Sequence, residues 1–136
     1  MWSGRFLRSL VLGAAVCVYA DASHAAQEDW KFIFVMAGSE WDVRSGTAVL
    51  ERSGSSFKGK FVDAQGRKYE LTAKITGNGA VGRVVILESD DDPFEMKGTY
   101  IRRTFRDARP CLWQTIQLYD GVSSFSLLRT EDTCRP

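Results

Sequence analysis

From Lys68 to Ile75 the chain alternates without exception: Tyr69, Leu71, Ala73 and Ile75 are apolar, while Lys68, Glu70, Thr72 and Lys74 are polar. Successive side chains of a strand point to opposite faces, so this segment is a strand with one face buried and the other wet. The same period returns at Trp30, Phe32, Phe34 and Met36. It returns again at Phe57, Gly59 and Phe61, with Lys58 and Lys60 on the opposite face. Residues 46–51, 80–87, 94–103, 112–119 and 122–129 complete a set of eight predicted strands. Helical spacing is hard to find anywhere, and the fold class read from this pattern is all-β.

The connections are short and carry turn chemistry, among them residues 52–55, 63–66, 76–79, 88–93 and the Asp120-Gly121 pair. Short loops join antiparallel neighbours in sequence order. Eight such strands either close as a small up-and-down barrel or pack as a two-sheet sandwich. Closure removes the exposed edges, which makes the barrel the leading expectation and the sandwich its alternative. Gly59, Gly82 and Gly98 fall inside strands, where they permit the sharp bending of a small barrel. Read as a two-residue hairpin turn, Asp120-Gly121 sets Tyr119 opposite Val122 and Ile116 opposite Phe125. Leu112, Ile116, Phe125 and Leu127 then share one face.

The count and order of these strands resemble the calycin group, the lipocalins and avidins, which the resemblance implies share an eight-stranded meander. The lipocalin Gly-x-Trp signature is not reproduced: Gly38-Ser39-Glu40-Trp41 places one residue too many between glycine and tryptophan. The resemblance therefore carries an architecture and no function.

Residues 1–25 read as a removable leader. Arg5 and Arg8 precede an apolar run over residues 9–20, too short to span a bilayer, and Ser23 and Ala25 supply the small side chains before a cut after Ala25. A lipoprotein reading of Cys17 fails on the bulky Val16 before it. The expected product is one domain, residues 26–136, exported to a periplasm or secreted. Loss of Arg5, Arg8 and Asp21 leaves 16 basic and 16 acidic residues, so no global field draws the domain to nucleic acid or to an anionic membrane. His24, the sole histidine, leaves with the leader. That removes Ser-His-Asp and Cys-His chemistry and histidine-ligated zinc. The two cysteines that remain, Cys111 and Cys134, read as a disulfide in an oxidising compartment, stabilising by roughly 3 kcal/mol through loop closure.

Two kinds of binding site are expected. Phe57, Phe61, Tyr69, Leu71 and Met96 face inside, and an eight-stranded barrel either fills its interior or holds one small ligand. Residues 102–109 hold four arginines. Among them Arg102, Arg103 and Arg106 suit phosphate, a sugar acid or an acidic protein surface, the alternative being a solvated strand end. Trp113 and Tyr119 share a polar face with Thr115, Gln117, Ser124 and Ser126, as an interface anchor would, and Trp41 has no clear place in the core. The acidic run at 88–92 matches no calcium loop and reads as a solvated turn ended by Pro93. Gly-x-Ser-x-Gly, a P-loop and a dinucleotide fingerprint are all absent, and no cofactor or metal is expected. The reading is an exported, non-catalytic binding protein holding a small apolar or amphipathic ligand in its barrel. The alternative is a protein-binding module, an inhibitor or envelope assembly factor, acting through its outer surface.

Overall fold

A computed structural model describes residues 26–38, 40–106 and 110–130. The expected leader at 1–25 and Cys134 lie outside the described residues, as do the side chains of residues 105, 106 and 110. The strands are β1 (Ala26–Met36), β2 (Asp42–Ser53), β3 (Ser56–Val62), β4 (Lys68–Thr76), β5 (Gly79–Ile86), β6 (Phe94–Arg106), β7 (Pro110–Tyr119) and β8 (Ser124–Thr130). Each pairs antiparallel with the next, and β1 pairs with β8 to close the barrel. That last pairing, with Phe34 opposite Phe125 and Lys31 opposite Leu128, excludes the sandwich.

Glycines allow the tight connections. Gly54 and Gly77 sit at φ 63° and 61° in the β2–β3 and β4–β5 turns, a backbone region that costs other residues about 1 kcal/mol or more. Within β6 the demand on glycine is steric. A Cβ on Gly98 would collide with the carbonyl oxygen of Gln117, so the neighbouring strand crosses the space a side chain needs.

One register differs from expectation. Tyr119 faces Ser124 and Ile116 faces Leu127, two residues from the expected pairing. The cause is a longer loop over residues 120–123. The Asp120 carboxylate accepts the backbone N–H groups of Val122 at 2.9 Å and Ser123 at 2.6 Å, while Gly121 takes φ 94°. An even slip preserves the face, so Ile116, Leu118, Phe125 and Leu127 still point inward and all are buried.

Aromatic rings fill the interior. Phe32 of β1 meets Phe61 at 4.8 Å, Phe125 at 5.5 Å and Tyr69 at 5.8 Å, so one ring contacts β3, β4 and β8 together. Trp30 packs edge-on against Phe57 at 5.7 Å, and Phe34 likewise against Phe94 at 5.2 Å. These separations are those of rings in direct contact.

A buried polar network closes the barrel end that carries the β1–β2, β3–β4, β5–β6 and β7–β8 loops. Asp63, its side chain fully buried, accepts the Tyr69 hydroxyl at 2.6 Å and the backbone N–H groups of Gln65 and Arg67 at 2.8 and 3.0 Å. Arg44 bridges Asp42 at 2.8 Å and approaches Asp63 at 3.8 Å, and Arg67 adds a bond to Asp42 at 3.3 Å. Burial alone would raise the Asp63 pKa. The bonds from Tyr69 and the loop backbone, with Arg44 nearby, outweigh it and hold the carboxyl below its ordinary value. Burial pushes the Tyr69 hydroxyl up, and the bond to Asp63 adds to the rise.

Candidate functional site

At the opposite end, which carries the β2–β3 and β4–β5 turns, the inward alternation runs past the core and changes chemistry. Two positions before Trp30 on the same face stands Glu28, and two after Leu50 stands Arg52. Gln114 lies two before Ile116, and Arg129 two after Leu127. β6 is 13 residues long and contributes Tyr100 and Arg102 beyond Gly98. Near this rim the inward positions turn polar, and the hydrogen bonds and ion pairs among them offset the cost of their burial. Together with Leu112 these residues line an open depression of about 440 Å³.

Local bonds fix the geometry. The Glu28 carboxylate accepts the Trp30 indole N–H at 3.3 Å, and its second oxygen lies 3.7 Å from Arg52. Arg52 donates through Nε to the Gly54 carbonyl at 3.1 Å, and its guanidinium sits 5.0 Å from the Phe57 ring centroid. Gln114 is buried. Its Oε1 accepts the Tyr100 hydroxyl at 2.8 Å and, more weakly, Arg52 Nη1 at 3.5 Å. With the acceptor engaged twice, the amide N–H groups are what Gln114 offers to the depression. Arg102 is exposed and forms no ion pair among the described residues. Among the described residues three guanidiniums thus line the depression with one carboxylate, an arrangement suited to hydrogen-bonding a carboxylate or phosphate through planar forks.

The structure divides the residues expected to bind a partner. Arg102 belongs to the mouth, whereas Arg103 points outward on β6 beside Trp113 of β7. Arg106 ends β6 with its side chain outside the described residues. Trp113 is half-buried on the outer wall, and Tyr119, half-exposed, stands six residues along the strand. At roughly 3.3 Å per residue that separation is about 20 Å, so the two aromatics do not meet. Trp41 is 74% exposed in the β1–β2 connection. Cys111 is disulfide-bonded.

Phe57, Phe61, Tyr69, Leu71 and Met96, expected to line a ligand cavity, are all 8% exposed or less and belong to one core cluster. Their side chains pack together in the barrel interior. Phe57 and Met96 also reach the floor of an open outer groove of about 1340 Å³, rimmed by Lys58, Lys74, Arg83, Lys97 and Tyr119. Sequence reasoning missed Glu28, Arg52, Tyr100, Gln114 and Arg129. Parity held the signal, since each continues an apolar face by an even number of residues.

Among the described residues no cluster of His, Cys, Asp or Glu could hold a metal ion, and no helix is long and apolar enough to cross a membrane. Comparison with known proteins finds no matching family model, no matching curated protein and no matching solved structure.

Proposed function

We propose that this chain is an exported, non-catalytic binding protein, periplasmic or secreted, whose filled barrel presents its arginine-lined mouth to an acidic protein partner. The observation carrying this reading is Arg102, free of ion pairs among the described residues, beside Arg52 and Arg129 around a polar depression. Counted over the described residues the mouth holds three cations and one anion, a balance that attracts clustered carboxylates, and guanidinium forks bind them directionally.

Export is supported by the charged, apolar and small-residue order of residues 1–25 and by the disulfide at Cys111. Binding without catalysis rests on the sequence, which carries no catalytic motif and loses its sole histidine with the expected leader. The aromatic filling of the barrel favours surface recognition over a carried ligand.

Titration calorimetry of the purified protein with an oligo-glutamate peptide tests this reading, with inorganic phosphate as the comparison. The peptide binds at low ionic strength, weakens as salt rises, and loses about tenfold in affinity with Arg102→Ala, near 1.4 kcal/mol. Equal binding by wild type and Arg102→Ala, or no peptide binding at low salt, overturns the proposal. Phosphate binding as tightly as the peptide reassigns the mouth to a small anion.

A further inference from the structure

The two ends of the barrel carry opposite charge. In the β1–β2, β3–β4, β5–β6 and β7–β8 loops seven of the described residues are acidic, namely Glu40, Asp63, Asp120 and the four acids of the 88–92 run, and only Arg67 is basic. In the adjoining strands Arg44 and Lys68 stand against Asp42, and the excess stays negative. Part of it is already engaged: Asp63 and Asp42 meet Arg44 and Arg67, and Glu88 meets Lys68 at 3.3 Å. Asp90, Asp91 and Asp92 are exposed and form no ion pair among the described residues. The Asp91 N–H donates to Ser89 Oγ at 3.0 Å and Pro93 ends the run, so three neighbouring carboxylates stand on one short, shaped loop. At the other end Arg52, Arg102 and Arg129 share the mouth with Glu28. Outside the mouth, among the described residues, Lys58, Lys74 and Arg103 outnumber Asp29 and Glu51. The flank between holds Lys31, Lys60, Arg83 and Lys97 with Glu70 and Glu95.

We infer that the acidic partner of the mouth is a second copy of this chain, whose 88–92 loop docks there head to tail. This assignment rests on the proposed reading of the mouth as a site for clustered carboxylates, and it adds their source. Each molecule carries both halves of the contact: unpaired Asp90, Asp91 and Asp92 at one end, and a mouth with Arg102, free of ion pairs among the described residues, at the other. A single copy cannot join them. Phe94, where β6 leaves the loop, and Arg102 are eight residues apart on that strand. At the ordinary strand rise this is about 26 Å, more than twice the screening length of about 10 Å in 0.1 M salt. The filled core lies between, so a loop reaches only a neighbour's mouth. Charge opposes the two-fold alternatives, since mouth against mouth sets arginine on arginine and loop against loop sets aspartate on aspartate. Because patch and counter-patch differ, the contact is heterologous. It leaves one mouth and one acidic loop open on every assembly, so chains of copies lengthen with concentration unless they close into a ring.

Sedimentation velocity of the purified, non-reduced protein from about 1 to 100 μM, at roughly 20 and 500 mM salt, tests it. At low salt the average mass rises with concentration past that of two chains, and at high salt it returns to that of one. Asp90→Asn, Asp91→Asn and Asp92→Asn combined, or Arg102→Ala alone, raise the dissociation constant about tenfold or more, while the circular dichroism spectrum stays unchanged. Mixing these two variants restores one contact, intact mouth against intact loop, and assembly then stops at a dimer. A wild-type monomer across the whole low-salt range overturns the inference. If oligo-glutamate still binds that monomer at the mouth, the acidic-partner reading survives; if it does not, both fall. Association that persists at high salt, survives either variant or is not restored by mixing overturns head-to-tail docking equally.

Discussion

Asp63 concentrates the energetics of one barrel end in a single carboxylate. It takes three hydrogen bonds while fully buried, so removing it strands the Tyr69 hydroxyl and two loop N–H groups. Asp63→Ala should cost about 3–5 kcal/mol in urea unfolding. The pH dependence follows from the directions of the shifts. Asp63 and Asp42 hold protons less tightly in the folded chain than in the unfolded one, where an aspartate titrates near 3.9. Their contribution is therefore complete above about pH 4 and is lost as acid passes through the lower folded values. Tyr69 holds its proton more tightly when folded. Its contribution is present below about pH 10, the ordinary tyrosine value, and fades as base ionises the unfolded chain first. Chemical denaturation across pH should trace a plateau between these limits, with Asp63→Asn softening the acid limb and Tyr69→Phe the alkaline one. A profile that Asp63→Asn leaves unchanged would show that other carboxylates govern acid stability. Steric demand is just as local at Gly98, where a methyl group meets backbone and neither strand can yield. Gly98→Ala should destabilise by about 1–3 kcal/mol, more than Gly82→Ala, whose nearest obstacle is the end of the Leu118 side chain.

Elements were legible wherever one face is buried. All eight strands follow from period-two alternation, and their closure follows from the cost of leaving edges exposed. Strand ends were harder to read. β2 runs from Asp42 to Ser53, well beyond the 46–51 expected, because Asp42, Arg44 and Arg52 continue its inward face with charged groups that resemble loop chemistry in a linear reading. The mouth residues were obscured in the same way: Arg52 and Arg129 are separated by most of the chain, and only the pairing around the closure brings them to one depression. The last hairpin shows how side-chain chemistry overrides a dipeptide signal. Asp120-Gly121 suggests a two-residue turn, yet the Asp120 carboxylate gathers two later N–H groups and makes a loop of four. Asp120→Ala should cost about 1–2 kcal/mol without changing the register, because β7 and β8 remain locked by their inward faces. Hydrogen exchange would report the cost as faster exchange confined to that hairpin.

At the scale of the whole molecule, the barrel is a packed body with a polar mouth. Phe61 touches Phe32, Tyr69 and Phe125, linking four strands through one ring. Phe61→Ala should lower stability by about 3–5 kcal/mol while leaving peptide affinity at the arginine mouth within twofold, because the ring serves packing and borders no binding space. A large affinity loss in protein that remains folded would restore the cavity reading for that residue.

Pairing of β1 with β8 also governs the order in which the molecule can assemble. Every other strand meets a neighbour close by in sequence, but Lys31 must wait for Leu128, almost a hundred residues later. A chain emerging during synthesis would expose β1 with one unsatisfied edge until its final hairpin emerged. Nucleation among the β3 to β6 hairpins can begin early, whereas circularisation is the last and slowest step, since the longest loop entropy is lost there. Synthesis and folding are thereby coupled in time: the sheet face containing the closure is the last to exist, and a chain stalled before β8 would present an edge competent to recruit strands from its neighbours.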